Sequence, residues 1–265
     1  MMLNDPDSRL LPELRRLARR AGQAILEHYG TNPAVRAKQD ASPVTAADEV
    51  AERIIIEELA RLTPGVPIVS EEAAAGGHLP DIGDPAQAGR RFWLVDPLDG
   101  TREFLSGNGE FTVNIALIEG ERPVLGIVHV PTRDVTYVGA GPGAATRQEG
   151  QHAPEPISAR VQPADGAIVL ASRSHANAEA LDAFLATQRV AGRIRAGSSL
   201  KFCLIAEGVA DLYPRLGRTM EWDTAAAHAV LASAGGSVTT LDGAELRYGK
   251  PGFENPHFVA RGRTS

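Results

Sequence analysis

The chain has 265 residues, 43% of them hydrophobic and 23% charged, with a formal net charge of −6. That is the profile of a globular protein with core enough for one large domain or two smaller ones, and it argues against a general nucleic-acid binder, which favours a basic surface. The single cysteine, Cys203, excludes an internal disulfide framework and fits a reducing compartment.

The N-terminus carries Asp5 and Asp7 and no apolar core of signal-peptide length, and no run reaches transmembrane length. Cytoplasm is the expected location. Residues 8–29 predict a helix, with Leu10, Leu14, Leu17, Ala21 and Ile25 at helical spacing and arginines between them. Packing on the core is its expected use, and peripheral attachment to the inner membrane is the alternative. Residues 31–42 read as a loop or short strand carrying Lys38 and Asp40. A second helix is expected over 45–62, stopped by Thr63-Pro64-Gly65. A short strand at 67–69 ends at Ser70-Glu71-Glu72, and residues 76–90, polar and bearing Gly and Pro, read as a mobile loop.

The next apolar run, Phe92-Trp93-Leu94-Val95, leads directly into Asp96-Pro97-Leu98-Asp99-Gly100-Thr101. A short apolar run ending in turn chemistry reads as a buried strand opening onto a loop. Two carboxylates three residues apart at that strand end are able to aim at one point. Pro97 restricts the backbone between them, and Gly100 lets the main chain turn or approach a ligand closely. Hard oxygen ligands held this way suit Mg²⁺, which takes few carboxylates plus substrate phosphate oxygens. A turn capped by Asp is the plain alternative, but this hexapeptide arises by chance with a probability on the order of 10⁻⁴ or lower. We read it as functional.

Strands at 111–119, 123–130 and 135–139 then form an antiparallel meander. The Pro-rich stretch 151–163 is the best boundary, dividing the chain into 1–155, an α+β half, and 156–265, an α/β half. The second half alternates: strand 167–171, helix 177–187, strand 190–195, helix 198–207, strand 209–213, helix 223–234, then short strands.

Asp48, Glu71-Glu72, Asp96/Asp99 and Asp223 all stand at predicted element ends, where a scaffold presents side chains. Two carboxylates about 4 Å apart repel by roughly 4 kcal/mol at an effective dielectric near 20. Several converging ones therefore need cations or protons, and Mg²⁺ would also create a place for phosphate oxygens. Simpler roles stay open: Asp48 as a helix-surface acid behind Thr45 as N-cap, Asp223 as the N-cap of the Ala-rich helix, Trp222 as core, and Glu72 as a solvated neighbour of Glu71. Lys38 is either a loop charge or a group that neutralises substrate. His175 reads as a polar loop residue, His228 as a packed helix histidine, and Cys203 as a small buried hydrophobe.

Ser70-Glu71-Glu72, Asp96-Pro97-Leu98-Asp99-Gly100-Thr101 and Glu221-Trp222-Asp223-Thr224-Ala225-Ala226 resemble the three signature blocks of the inositol monophosphatase superfamily, in the family's order. The resemblance spans essentially the whole chain. It implies a layered αβαβα sandwich and a Mg²⁺-dependent, lithium-inhibited phosphomonoesterase using two or three ions. Within the superfamily, Gly197-Ser198-Ser199-Leu200-Lys201-Phe202-Cys203 and Leu212-Tyr213-Pro214-Arg215 most resemble the CysQ-type 3′(2′),5′-bisphosphate nucleotidases. Those enzymes serve sulfur metabolism by removing the 3′-phosphate of adenosine 3′,5′-bisphosphate and of its sulfated precursor.

The resemblance implies Glu71, Asp96, the Leu98 carbonyl, Asp99 and Asp223 as metal ligands, with Glu71 and Asp96 sharing one ion and Asp99 and Asp223 completing another. It implies that Asp48 and Thr101, with Glu71 among the catalytic groups, prepare a metal-activated water for in-line attack on phosphorus, without a phosphoenzyme. The amides of Gly100 and Thr101 would bind phosphate oxygens at a helix start. Lys201, Arg215, Ser199 and Asp223 are the expected substrate contacts, with Arg173 a further candidate for the second phosphate. Arg215 stands near a position where inositol-selective relatives carry an acid, so it favours a second anion; a surface charge is its alternative reading. The competing functions are an inositol or other sugar phosphatase, a non-catalytic metal- or nucleotide-binding protein, and a regulatory protein on the membrane surface. A monomer and a homodimer are both compatible with the sequence.

Overall fold

The computed structural model describes residues 9–31, 36–37, 43–173 and 178–264. Helix α1 (Leu11–Leu26) turns Leu14, Leu17, Ala18, Ala21 and Ile25 inward, as the spacing predicts. After a two-residue antiparallel pair, β1 (Arg36–Ala37) and β2 (Pro43–Val44), comes helix α2 (Ala46–Leu62), N-capped by Thr45. Next come strand β3 (Ile68–Ser70), the short helix α3 (Glu71–Ala75), strand β4 (Arg91–Asp99) and the short helix α4 (Thr101–Leu105). An antiparallel run follows: β5 (Thr112–Glu119), β6 (Arg122–Val130), β7 (Val135–Gly139), β8 (Ala145–Glu149) and β9 (Glu155–Pro156). With β3 and β4 it makes a seven-stranded sheet ordered β3-β4-β5-β6-β7-β8-β9.

The remainder alternates between β10 (Ala167–Ser172), α5 (Ala178–Leu185), β11 (Val190–Ala196), α6 (Leu200–Ala206), β12 (Leu212–Arg215), α7 (Ala225–Ser233), β13 (Ser237–Thr240) and β14 (Phe258–Arg261). Its strands form a five-stranded sheet in the order β11-β10-β12-β14-β13.

Alternation along the strands builds the layers. Trp93 and Val95 of β4 join α1 and α2 in one apolar cluster. Their neighbours Phe92 and Leu94 join α6, α7 and the inner face of the smaller sheet in another. Leu181, Phe184 and Leu185 of α5 cover the outer face of that sheet at Val169, Leu212 and Val259. The order is helix, sheet, helix, sheet, helix, the expected five layers.

Helix α7 explains its own composition. Ala225 to Leu231 are all buried, because the helix lies directly on paired glycines of the large sheet. Gly126 and Gly139 face each other across β6 and β7. A Cβ on Gly126 would stand 2.1 Å from the Ala226 carbonyl oxygen, and one on Gly139 2.4 Å from that of Ala229. Only hydrogen fits there.

Four differences from expectation have physical causes. β4 does not end at Asp96: it pairs Asp96 with Asn114, bulges by one residue, and pairs Asp99 with Thr112. The bulge accommodates Pro97, which has no ladder donor. The meander continues through β8 and β9. Residues 209–211 stay out of the ladder, where Asp211 accepts from Arg160 and from the Ile168 amide at 2.7 Å. Residues 76–90 lack regular structure but are pinned by the Arg90 side chain on the Ile82 carbonyl and by Asp84 Oδ1 on the Ala86 amide at 3.0 Å.

Among the described residues no helix is long and apolar enough to cross a membrane. The apolar face of α1 packs on the core, the first of the two uses considered above.

Candidate active site

Three carboxylates meet at the ends of three elements. Glu71 opens α3 immediately after β3, Asp96 sits at the bulge of β4, and Asp223 closes a 3₁₀ turn, Glu221–Asp223, that precedes α7. One oxygen from each lies within 4.8 Å of the others. Backbone amides orient two of them: Leu98 N donates to Asp96 Oδ1 at 3.0 Å, and Met220 N to Asp223 Oδ2 at 2.9 Å. Asp223 is therefore part of a turn of its own rather than the N-cap of α7. Burial, followed by the charges of Asp99 and Glu71, pushes its carboxyl well above the usual range. Glu221, in the same turn, is buried and structural, taking the Gly249 and Lys250 amides at 2.6 and 2.9 Å and the Lys250 ammonium at 2.6 Å.

Asp99 lines the same cavity but stands apart from this trio. Its Oδ2 accepts from the Ser199 amide at 2.6 Å, the Ser198 hydroxyl at 2.7 Å, Asn114 Nδ2 at 3.4 Å and Thr112 Oγ1 at 3.5 Å. The turn that supplies the first two is held left-handed, with Ser198 at φ 55°. The described carboxylates close enough to share one ion are thus Glu71, Asp96 and Asp223, while Asp99 lies near enough that burial and its charge together raise the Asp223 carboxyl. Thr112, Asn114 and Ser198 were not anticipated here; two polar side chains inside the otherwise apolar β5 were the available signal.

Asp48 is buried on the other side of the bulge. Its Oδ2 accepts from the Thr45 amide and hydroxyl, each at 2.8 Å, closing a capping box on α2. Its Oδ1 faces the Thr101 hydroxyl at 3.4 Å, which also lies 3.4 Å from the Leu98 carbonyl oxygen. Gly100, at φ 92°, precedes Thr101, and a Cβ there would stand 3.3 Å from Glu103 Oε2. Converging hard oxygens with a strained charge balance fit Mg²⁺.

The cavity beside these groups measures about 350 Å³, and Arg102, Lys201, Arg215 and Arg218 bring positive charge to its lining. Lys201 is buried; its ammonium donates to the Ser198 carbonyl at 2.5 Å and the Ala196 carbonyl at 3.4 Å and lies 5.1 Å from the Tyr213 ring centre. Burial pulls its pKa down to about 8. Arg215 is no surface charge, being only 8% exposed. Ser199 lines the cavity, yet its amide serves Asp99 and its hydroxyl donates to Asn114 Oδ1 at 2.8 Å.

Arg173 departs from expectation. It is committed to Glu110 through contacts of 2.9 and 3.0 Å and is not among the cavity-lining residues. His228 is a packed helix histidine bonded to the Tyr248 hydroxyl at 2.9 Å, Cys203 is buried, and Trp222 belongs to the core while also lining the cavity. Lys38 and His175 lie outside the described residues.

The profile of the inositol monophosphatase family matches residues 7–261. The 3′(2′),5′-bisphosphate nucleotidase CysQ of Escherichia coli strain K12 is 47% identical over 254 residues, covering 94% of this chain and 98% of that protein. Among solved structures, CysQ from Bacteroides thetaiotaomicron superposes with a TM-score of 0.75 at 34% identity, over 94% of this chain and 95% of that one. The extragenic suppressor protein suhB from Bartonella henselae does so with a TM-score of 0.73 at 26% identity, over 96% and 93%.

Proposed function

The chain belongs to the inositol monophosphatase family, and on that footing we propose that it is a Mg²⁺-dependent 3′(2′),5′-bisphosphate nucleotidase. Its reaction is hydrolysis of the 3′-phosphate of adenosine 3′,5′-bisphosphate to AMP and phosphate. The observation that carries this reading is the convergence of Glu71, Asp96 and Asp223 beside the Asp48–Thr101 pair, in a cavity that also holds buried cations.

Glu71, Asp96, the Leu98 carbonyl, Asp99 and Asp223 would hold two or three Mg²⁺ ions. Bound Mg²⁺ supplies charge neutralisation for the phosphate oxygens and the leaving alkoxide and makes water more acidic.

The protein's own groups do the rest. Thr101 donates its hydroxyl hydrogen to Asp48 Oδ1, which leaves the oxygen lone pairs to accept from a water. Proton flow from that water through Thr101 to Asp48 gives hydroxide-like attack in line with the 3′-oxygen. Asp48 is fit for this because its other oxygen is fixed by the helix cap. Asp99 is gripped by the 198–199 turn and lines the cavity. The amides of Gly100 and Thr101 open α4 beside the reacting phosphate. Lys201 and Arg215 would neutralise the phosphate that is not cleaved, which distinguishes a bisphosphate from a simple ester. Phosphate release from adenosine 3′,5′-bisphosphate, measured with Mg²⁺ and after chelation, tests the proposal: metal-dependent turnover supports it, and none with Mg²⁺ refutes it.

A further inference from the structure

The loop that leaves β12 is well tied, which makes its two unpartnered donors conspicuous. Arg215 Nη2 donates to the Arg218 carbonyl at 2.8 Å. Asn255 N donates to the Thr219 carbonyl at 2.9 Å, and Asn255 Nδ2 to that of Met220 at 2.8 Å. Nevertheless Arg215 Nε and Thr219 Oγ1 are both buried without a hydrogen-bond partner. Each residue is only 8% exposed, and both line the cavity.

Leaving a buried donor unsatisfied is costly, and native proteins do so rarely. One of these two is a guanidinium N–H, which takes only acceptors, and a hydroxyl is able to donate to the same kind of group. An anionic oxygen is the kind of acceptor that each of them calls for. The loop is held by backbone hydrogen bonds at Arg218, Thr219 and Met220.

We infer that Thr219 is a specificity residue of this site, its hydroxyl donating with Arg215 Nε to an oxygen of the substrate phosphate that is not hydrolysed. This rests on the bisphosphate reading above. A site built to hydrogen-bond a substrate group discriminates against analogues that lack it, because its own buried donors are then left unpaired. Thr219 would thus act on choice of substrate rather than on the chemical step.

Thr219→Val removes the hydroxyl at nearly constant shape, and Thr219→Ser keeps it. The readout is the ratio of kcat/KM for adenosine 3′,5′-bisphosphate to that for adenosine 3′-monophosphate. Loss of one hydrogen bond to a charged group lowers this ratio roughly tenfold or more in the valine variant. The serine variant keeps the wild-type ratio. The melting temperature of the valine variant is no lower than that of wild type, because an unsatisfied buried hydroxyl has been removed. Should the valine variant fail to fold, Thr219→Ala serves for the same ratio. An unmoved ratio in the variant lacking the hydroxyl, or a serine variant that loses it equally, overturns the inference. A wild type that prefers inositol 1-phosphate to the bisphosphate overturns the underlying reading, and this inference with it.

Discussion

Asp48 and Thr101 are joined through one carboxylate that serves two masters: Oδ2 closes the cap of α2 on Thr45, while Oδ1 faces the Thr101 hydroxyl at 3.4 Å. Asp48 is 1% exposed, so it is not the helix-surface acid of the plain sequence reading, and Oδ1 is placed for the proposed role of proton acceptor. Asp48→Asn keeps an amide oxygen for the Thr45 cap but cannot take a proton. It should lower kcat by about 10²- to 10⁴-fold while costing less than about 1 kcal/mol in urea unfolding. Full activity in a folded Asn variant would remove Asp48 from the mechanism.

Asp223 should make the metal-free protein less stable than it need be. Its folded pKa is raised by burial and by Asp99 and Glu71, so the folded state binds more protons than the unfolded one. The stability this contributes is complete below the ordinary Asp value and is lost as pH rises through the raised one. At pH 7, Asp223→Asn should therefore raise the melting temperature of the chelated protein, and it should diminish the further rise that Mg²⁺ gives wild type. Calorimetry with and without Mg²⁺ reads both effects. A chelated variant less stable than chelated wild type would contradict the repulsion assigned here.

Acid should weaken the fold through His129 and His228. Burial holds both near pKa 4, below the ordinary value of about 6.5. The folded state then binds fewer protons than the unfolded chain, so stability present above pH 6.5 is lost as pH falls towards 4. The cost is at most about 3 kcal/mol per histidine. Urea midpoints at pH 7 and pH 5, compared between wild type and His228→Gln, test this; an equal acid drop in both would discount His228.

The seat of α7 on the large sheet should tolerate no side chain. Gly126→Ala drives a methyl to 2.1 Å from the Ala226 carbonyl and should cost about 3 kcal/mol or more, seen as a large fall in urea midpoint. Because α7 follows the turn that carries Asp223, Mg²⁺ affinity should fall with it. A variant as stable as wild type would mean that the helix can slide.

What could be read in advance was the local part. Leu14, Leu17, Ala21 and Ile25 announce α1 by their spacing, and Asp96-Pro97-Leu98-Asp99-Gly100-Thr101 announces a cation site by its ligand chemistry. Glu71 and Asp223 were legible through the family's blocks. Hidden were the relationships made by folding. Asp99 is gripped by Ser198 and Ser199, about a hundred positions away. Arg173 looked free to bind phosphate, but it leaves the end of β10 against Glu110, just ahead of β5. The all-round burial of the Ala-rich helix α7 depends on glycines in β6 and β7 that no local pattern connects to it.

A nucleotide bisphosphate is the substrate proposed for this acidic site. The most direct test is kcat/KM with Mg²⁺ for adenosine 3′,5′-bisphosphate, inositol 1-phosphate and fructose 1,6-bisphosphate under one condition. The nucleotide should be the best substrate by at least about tenfold, the worth of one charge-assisted contact to its second phosphate. Faster turnover of inositol 1-phosphate would contradict it.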